Sequence, residues 1–342
     1  MSVSHLRVWA EGMLVFHAVM VMQASRSVVL LMGIFVVLLS GTVESKPNTK
    51  RSRIRAVKNW GYQLQGRNGR RLKAEDLAKS SFDLLVVDYA NGDRPWTAKE
   101  VEKIARKPDG SRRIVLAYLS IGEAENYRYY WKKAWKDQKP EFLADANEDW
   151  AGNFKVRYWL ESWQDIIVGK GTRNRSYLDK IVGAGFDGVY LDIVDAYEFF
   201  GPDGEEPEQT NAAQLMCQLL ARIGHRARVH HKRPGFLLVP QNGATIIDEL
   251  SDTRADAYLD IVDGIGAEDS FFFGRADHNN PLRPQKETIR ALSRFRKHKL
   301  PVFAVDYITQ PKLARKFVQL ALDKKFLPYV GHRELDRLVK QP

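Results

Sequence analysis

Acidic side chains end one apolar run after another along this chain. The runs FDLLVVDY, VLAYLSIGEAE, GVYLDIVD, GIGAED and VFAVDY supply Asp88, Glu123, Asp192, Asp195, Glu268, Asp269 and Asp306. Carboxyl groups that meet at close quarters repel one another, which raises the pKa of one while another stays ionised. Cleavage of a glycosidic bond uses such a pair. One carboxylic acid protonates the leaving oxygen, while one carboxylate attacks the anomeric carbon or activates water.

Neutral polar and aromatic residues accompany these acids. Gln241 and Asn242 follow the run FLLVP, and Tyr89, Tyr118 and Tyr307 lie within or beside the acidic runs. Amide groups and tyrosine hydroxyls suit hydrogen bonding to sugar hydroxyls. Some of the rings that follow the predicted strands are expected to stack on sugar faces and the others to fill the core. These rings are Tyr127, Tyr129, Tyr130, Trp131, Trp150, Trp159 and Trp163.

Short β-rich runs alternate with amphipathic helical segments, a pattern typical of a parallel α/β architecture. Strands are predicted at residues 60–64, 84–88, 114–119, 155–159, 188–192, 236–240, 263–267 and 302–306. Helices are predicted between them, for example over residues 97–106, 177–184 and 286–297. This uninterrupted series predicts one (β/α)8 TIM barrel over residues 59–342. Its active site would lie at the C-terminal ends of the strands, where the acids are.

The N-terminal region has the layout of a secretory signal. Residues 28–39, VVLLMGIFVVLL, follow Arg26 and precede the small and polar residues Ser40, Gly41, Thr42 and Ser45. This apolar run is shorter than the roughly 20 residues of a membrane span. Residues 1–45 are therefore predicted to be a signal peptide, with an uncleaved N-terminal anchor as the alternative. Residues 46–58 form a basic leader, and the barrel is expected to be secreted, periplasmic or attached to the cell envelope.

The sequence does not contain the motifs of several other catalytic and binding chemistries. The single cysteine, Cys217, excludes an intrachain disulfide and zinc fingers, and no GxSxG, HExxH or phosphate-binding glycine loop occurs. His278 and His332 are expected to have surface or capping roles, so neither a metal nor a cofactor is predicted. The formal charge of +11 is concentrated in predicted helices and connectors, which indicates a solvated outer face and not a nucleic-acid partner.

The strand-end phrases together resemble the family-114 glycoside hydrolases, the group of endo-α-1,4-polygalactosaminidases. The phrases that carry the resemblance are WGYQLQG, FDLLVVDY, VLAYLSIGEAENYRYYW, GFDGVYLDIVDAYE, VPQNG, IGAEDSFF, PVFAVDY and PYVGHRELD. They span almost the whole predicted barrel. The resemblance implies a TIM barrel that acts on an exopolysaccharide containing α-1,4-linked galactosamine.

The resemblance also implies roles for individual residues. The catalytic Asp of the family falls on Asp192 and the catalytic Glu on Glu268. We expect Asp192 to be the nucleophile or base and Glu268 the general acid, kept protonated beside Phe271 and Phe272. The residues expected to bind the sugar are Asp88, Tyr89, Tyr118, Glu123, Asp195, Gln241, Asn242, Asp306 and Tyr307.

Two functions other than hydrolysis of a polysaccharide remain open from the sequence. The barrel could bind carbohydrate without turnover, or its acids could hold Mg²⁺ or Ca²⁺ for a phosphodiesterase, since these ions prefer oxygen ligands. The sequence leaves open the acetylation of the sugar, endo or exo action, the anomeric outcome and the oligomeric state.

Overall fold

The computed structural model describes residues 49–92, 94–172 and 175–342 of the chain. The predicted signal segment, residues 28–39, lies outside these ranges. Within them, no helix is both long enough and apolar enough to cross a membrane.

Strands and helices alternate through most of the described chain. The strands are β1 Trp60–Gln63, β2 Leu84–Asp88, β3 Ala90–Asn91, β4 Arg94–Pro95, β5 Ile114–Ser120, β6 Glu123–Glu125, β7 Leu143–Ala146, β8 Asn153–Val156, β9 Gly188–Asp192, β10 Leu237–Pro240, β11 Ile265–Glu268, β12 Val302–Tyr307 and β13 Leu327–Gly331. The α-helices are α1 Thr49–Arg55, α2 Ala74–Ala78, α3 Ala98–Ala105, α4 Glu161–Ile167, α5 Tyr177–Gly183, α6 Ala196–Phe200, α7 Ala212–His225, α8 Asp252–Ile261, α9 Lys286–Lys297 and α10 Pro311–Asp323.

Eight of these strands run parallel and in chain order, which confirms the predicted (β/α)8 barrel. One sheet has the order β1-β2-β5-β9-β10, and a second has the order β11-β12-β13. A parallel bridge between Gln241 and Gly266 joins β10 to β11. On the opposite side, the indole nitrogen of Trp60 in β1 donates to the carbonyl oxygen of Leu327 in β13 at 2.9 Å. The ring of strands places all eight C-terminal ends on one face.

Seven of the eight predicted strands belong to the barrel, but the fourth was wrong and the last barrel strand was not predicted. Residues 155–159 do not form a barrel strand, because β8 pairs antiparallel with β6 and β7 in a small sheet that follows β5. The eighth barrel strand is instead β13, which the sequence analysis took for part of a C-terminal phrase. Pro328 lies inside β13 and lacks a backbone N–H, which weakens the sequence signal for a paired strand.

Alternation along each strand separates two packed layers. Side chains on one face fill the barrel interior, where five fully or almost fully buried aromatic rings pack together: Trp60, Tyr62, Tyr190, Phe303 and Tyr329. Side chains on the other face, such as Leu85 and Val87 of β2, belong to the apolar layer beneath the helices. Because successive strand residues point to opposite faces, this parity decides which strand-end groups can reach the mouth of the barrel.

The segment predicted as a basic leader contains α1, which packs on the barrel. Ile54 of this helix is fully buried. The Arg51 guanidinium donates to the carbonyl oxygens of Leu259 and Asp260 at 3.1 and 2.8 Å, and Arg53 contacts the Asp187 carboxylate at 3.0 Å. Part of the positive charge of this segment therefore serves tertiary contacts.

Candidate active site

A cavity of about 470 Å³ lies at the C-terminal ends of the barrel strands. Eight of the predicted site residues line it: Asp88, Tyr118, Glu123, Asp192, Gln241, Asn242, Glu268 and Tyr307. Seven of them lie in, or directly follow, six of the eight barrel strands. Glu123 belongs to β6, which is not a barrel strand. The fold therefore brings together side chains that are up to 219 positions apart in sequence, from Asp88 to Tyr307.

Neutral donors hold the two predicted catalytic carboxylates. The Tyr118 hydroxyl donates to Asp192 Oδ2 at 2.6 Å. The Tyr307 hydroxyl donates to Glu268 Oε1, and Asn242 Nδ2 donates to Glu268 Oε2 at 3.3 Å. Asn242 Oδ1 also accepts from the Glu268 backbone nitrogen at 3.0 Å, which fixes the amide orientation. Among the residues that the structure describes, neither carboxylate forms a direct ion pair with a cationic side chain.

The electrostatic setting favours a proton on Asp192. Burial is the largest cause that raises the pKa of Asp192 well above its usual value, and the negative charge of Glu268 raises it further. The hydrogen bond from Tyr118 acts in the opposite direction. Because two close carboxylates resist simultaneous ionisation, the pair retains one proton where isolated carboxyl groups would have lost theirs.

A second pair of carboxylates in the same cavity is bound by one arginine, which offsets one of their two negative charges. Arg128 donates to both oxygens of Asp88 at 2.7 and 2.8 Å, and to both oxygens of Glu125 at 2.6 and 3.0 Å. Arg128 and Glu125 are both buried. Bidentate contacts of this kind fix geometry as well as charge. The sequence analysis predicted Asp88 but missed Arg128, which lies in the loop after β6.

Glu123 has a third kind of environment. It is buried, and its two oxygens accept from the side-chain amides of Asn147 at 2.7 Å and Asn153 at 3.0 Å. Burial raises the pKa of Glu123 despite these two hydrogen bonds. The antiparallel sheet β6-β8-β7 supplies Glu123 and Asn153, so this small sheet builds one wall of the cavity.

Three predicted sugar-binding residues lie elsewhere. Tyr89 is buried on the outer side of β2, where its ring lies 5.2 Å from that of Tyr177. Asp306 is fully buried on the outer face of β12, and its Oδ2 accepts from the Phe272 backbone nitrogen at 2.9 Å. Both alternate with residues that do face the cavity, Asp88 and Tyr307. Asp195 lines a neighbouring cavity, which shares Glu123 with the first.

The apolar setting predicted for Glu268 is also absent from the described structure. Phe271 and Phe272 are buried, and the Phe271 ring packs near Phe317 and Phe326 at centroid distances of 5.9 and 6.4 Å. Neither phenylalanine lines the cavity that contains Glu268. The proton on the carboxyl pair therefore arises from burial of Asp192 and from mutual repulsion.

The aromatic residues divide between the cavity rim and the core. Trp150 and Tyr127 line the cavity with 55% and 63% of their surfaces exposed, which suits ligand stacking. Trp163 is fully buried, and Tyr130 and Trp131 pack against the main core. Tyr62, another cavity residue the sequence analysis did not single out, donates from its hydroxyl to Gln241 Oε1 at 3.0 Å.

The backbone turns sharply directly after three site residues. Ile193, Asn242 and Asp269 have φ values of 56°, 60° and 47°. Positive φ is unfavourable for a β-branched residue, so Ile193 is the most strained of the three. Gly122 accommodates this turn, because a Cβ at Gly122 would lie 2.2 Å from the Ile193 carbonyl oxygen. Such strain is commonly found at functional sites.

Comparison with known proteins agrees with this architecture. The model of glycoside-hydrolase family GH114 matches residues 42–342. An uncharacterized protein of Deinococcus radiodurans is 35% identical over 87% of this chain and 88% of its own length. An uncharacterized protein of Methanocaldococcus jannaschii is 34% identical over 82% of this chain and 77% of its own.

Among solved structures, the barrel is similar to Ega3 of Aspergillus fumigatus, which was crystallised in complex with galactosamine. The TM-score is 0.58 at 16% identity, covering 83% of this chain and 95% of Ega3. This likeness supports the barrel fold, and the family match confirms the resemblance drawn from the strand-end phrases. The chain belongs to glycoside-hydrolase family GH114.

Proposed function

We propose that this protein is an exported hydrolase of a polysaccharide containing α-1,4-linked galactosamine, with Asp192 and Glu268 as its catalytic pair. The observation that carries the proposal is the position of these two carboxyl groups. They come from β9 and β11, face the same cavity, and accept hydrogen bonds from neutral donors. Each carboxyl group can therefore gain or lose a proton during the reaction.

Glycosidic cleavage requires one protonated and one ionised carboxyl group at the same time. Burial of Asp192, and then the negative charge of Glu268, raise the pKa of Asp192 and so favour one proton on the pair. The free site favours this proton on Asp192, and the proposed mechanism requires it to be on Glu268 when the leaving oxygen departs, with Asp192 as the nucleophile or base. The hydrogen bond from Tyr118 acts in this direction, because it stabilises the ionised form of Asp192 against the effect of burial.

The charge of the cavity supports a cationic or partly cationic polymer. Six carboxyl groups and two guanidinium groups line it: Asp88, Glu123, Glu125, Asp192, Glu268 and Glu334, with Arg128 and Arg333. The adjoining cavity adds Asp195, Glu198, Asp203 and Glu205 against one lysine, Lys155. A locally acidic cleft attracts an ammonium group although the whole chain has a formal charge of +11. Ega3, which binds galactosamine in its crystal structure, offers a parallel.

The test is release of oligosaccharides from α-1,4-linked galactosamine polymers, acetylated and partly deacetylated in parallel. We expect products from the wild type and none from Glu268→Gln, while the surface variant Glu161→Gln retains activity. Binding of the polymer without any product would identify a carbohydrate-binding barrel instead. Hydrolysis of a phosphodiester that EDTA abolishes would identify a metal-dependent phosphodiesterase.

Export is a separate part of the proposal, supported by the apolar run at residues 28–39. Expression of the full chain in a secreting host, followed by N-terminal sequencing, would test it. We expect an exported protein that begins near residue 46. A protein that retains Met1 and sediments with the membrane would identify an uncleaved anchor.

A further inference from the structure

Two histidines and a glutamate converge at the rim of the catalytic cavity. His278 lies in the segment between β11 and α9, and His332 and Glu334 follow β13. One potential ligand atom from each residue lies within 4.8 Å of the other two. Their side chains are 19%, 25% and 50% exposed, so the cluster is accessible from solvent. Glu334 also lines the catalytic cavity.

The spacing of these atoms matches a tetrahedral metal site. Glu334 Oε2 lies 3.5 Å from His278 Nε2 and 3.6 Å from His332 Nδ1. Two zinc–ligand bonds of about 2.1 Å at a tetrahedral angle place their donor atoms about 3.4 Å apart. Both separations are also longer than an ordinary N–H···O hydrogen bond. The two separations that involve Glu334 are therefore those expected between ligands of a common ion and not between hydrogen-bond partners, and the ligand atoms of the two histidines lie within 4.8 Å of each other.

The hydrogen bonding of His278 favours a cation between the atoms. His278 Nε2 accepts from the Arg333 backbone nitrogen at 3.2 Å. At 3.5 Å it faces a carboxylate oxygen, which is also an acceptor. Two acceptors at this distance repel each other unless positive charge lies between them. A metal ion would relieve this repulsion and take over the lone pair that now accepts from Arg333.

The surrounding charges are compatible with a bound cation. Arg333 is already paired with Asp269 at 2.5 Å, and Arg337 with Asp336 at 2.5 Å. The Glu334 carboxylate then supplies the negative charge of the ligand set.

We propose that His278, His332 and Glu334 bind one zinc ion at the rim of the catalytic cavity, with water in the fourth position. Two imidazoles and one carboxylate are a donor set that zinc accepts, and a site with three protein ligands keeps one position open. The ion would connect the segment after β11 to the segment after β13. These two segments flank the end of β12, where Tyr307 contacts Glu268.

Arg333 lies between the ligands His332 and Glu334 and connects the proposed zinc site to the catalytic pair. The Arg333 guanidinium carbon lies 3.8 Å from the centroid of the Tyr307 ring. A zinc ion bound by His332 and Glu334 would restrict the backbone on both sides of Arg333. It would thereby hold this guanidinium over the tyrosine that donates to Glu268. The ion has a positioning role in this arrangement and does not contact Asp192 or Glu268.

Calorimetry on the EDTA-treated full chain, titrated with zinc chloride, tests the proposal. We expect one equivalent of zinc per chain, with binding weakened by more than tenfold in His332→Ala and in Glu334→Gln. His298→Ala, which removes a half-exposed histidine at another place on the barrel, is the matched control and should bind like the wild type. Equal zinc binding by all four proteins, or no binding by the wild type, would overturn the proposal.

Two further measurements separate loss of a ligand from loss of the fold. Far-UV circular dichroism should be the same for all metal-free proteins, and zinc should raise the Tm of the wild type and His298→Ala but not of His332→Ala. Cobalt in place of zinc should give the visible absorption of a tetrahedral site only when both histidines are present. Magnesium binding with the same affinity, unaffected by His332→Ala, would contradict the histidine-containing site. These readouts do not depend on the proposed hydrolase activity.

Discussion

Two pairs of carboxylates share one cavity in this protein and are held in opposite ways. Asp88 and Glu125 are both locked to the guanidinium of Arg128. Asp192 and Glu268 accept from neutral groups, the hydroxyls of Tyr118 and Tyr307 and the amide of Asn242. In the first pair, the shared guanidinium of Arg128 offsets one of the two negative charges. The second pair leaves its charge to be neutralised by a proton or by a ligand.

This difference in hydrogen-bond partners separates a structural role for the Arg128 pair from a catalytic role for the Asp192 pair. A carboxylate in a bidentate ion pair stays ionised and fixed, so it can orient a wall of the cavity but is a poor proton donor. A buried carboxylate beside another negative charge exchanges a proton at a pH where general acid–base catalysis operates. We therefore expect substitutions at the Arg128 pair to affect mainly stability, and substitutions at the Asp192 pair to affect mainly rate.

The largest expected effect is on catalysis by the Asp192 pair. Asp192→Asn and Glu268→Gln should each lower kcat/KM on the polymer by about 10³-fold, the scale of a lost acid, base or nucleophile. An oligosaccharide with an activated aryl leaving group needs little protonation. We therefore expect Glu268→Gln to recover much of its rate on that substrate and Asp192→Asn to recover none. Recovery by Asp192→Asn instead would exchange the two proposed roles.

The Arg128 pair is tested by the free energy of unfolding. Arg128→Met should lower it by about 3–5 kcal/mol, because the buried carboxylate of Glu125 and the partly buried carboxylate of Asp88 lose their counter-ion. Asp192→Asn serves as the comparison and should not destabilise the fold, since it removes a repulsive charge from the same cavity. Urea unfolding at pH 7 measures both. Equal destabilisation by the two substitutions would contradict the assignment of a structural role to one pair and a catalytic role to the other.

A third prediction concerns Asp195, a carboxyl group beside the main cavity that has no ion pair within the described part of the chain. Burial, and then the charge of Glu198, raise its pKa from 3.8 to about 7. The folded state therefore binds this proton more tightly than the unfolded state does, so stability declines as the pH rises from about 4 to about 7 and is level above. Asp195→Asn removes this decline.

We expect Asp195→Asn to be more stable than the wild type by about 2 kcal/mol at pH 8, roughly half of what the full pKa shift would give, because the side chain is partly exposed. The two proteins should be equally stable near pH 4. Urea unfolding across this range provides the measurement, with Asp109→Asn on the surface as control. A wild-type stability that rises between pH 4 and 7 relative to the variant would show a lowered pKa.

The sequence predicted most of what depends on periodicity and on strand ends. The barrel, the meeting of Asp192 with Glu268, and six further cavity residues followed from apolar runs that end in polar groups. Strand parity was harder to read, because one extra residue at a strand end moves a side chain to the other face. Tyr89 and Asp306 were included for this reason, each adjacent to a residue that does face the cavity.

Two of the cavity residues that were not predicted lie outside the regular pattern. Arg128 and Arg333 lie in loops, and their importance comes from contacts with Asp88 and Asp269, which are distant in sequence. Loop geometry depends on tertiary packing, so neither hydrophobic periodicity nor local propensity identifies these residues.

The smallest expected effect is a shift in the pH dependence of activity. The Tyr118 hydroxyl donates to Asp192 and lowers the pKa of that carboxyl, in opposition to burial. Tyr118→Phe removes this hydrogen bond and raises the pKa of Asp192. If Asp192 must be ionised as nucleophile or base, the acid limb of the kcat/KM profile should move to higher pH by about one unit, the worth of a hydrogen bond to a charged group.

Tyr62→Phe is the matched control for this shift. It removes a hydroxyl from the same cavity, but one that donates to the neutral amide oxygen of Gln241, so the acid limb should stay in place. Movement of the alkaline limb in Tyr118→Phe would instead mean that Asp192 acts in its protonated form. That outcome would make Asp192 the general acid, in agreement with its raised pKa in the free site, and would assign the nucleophile or base to Glu268.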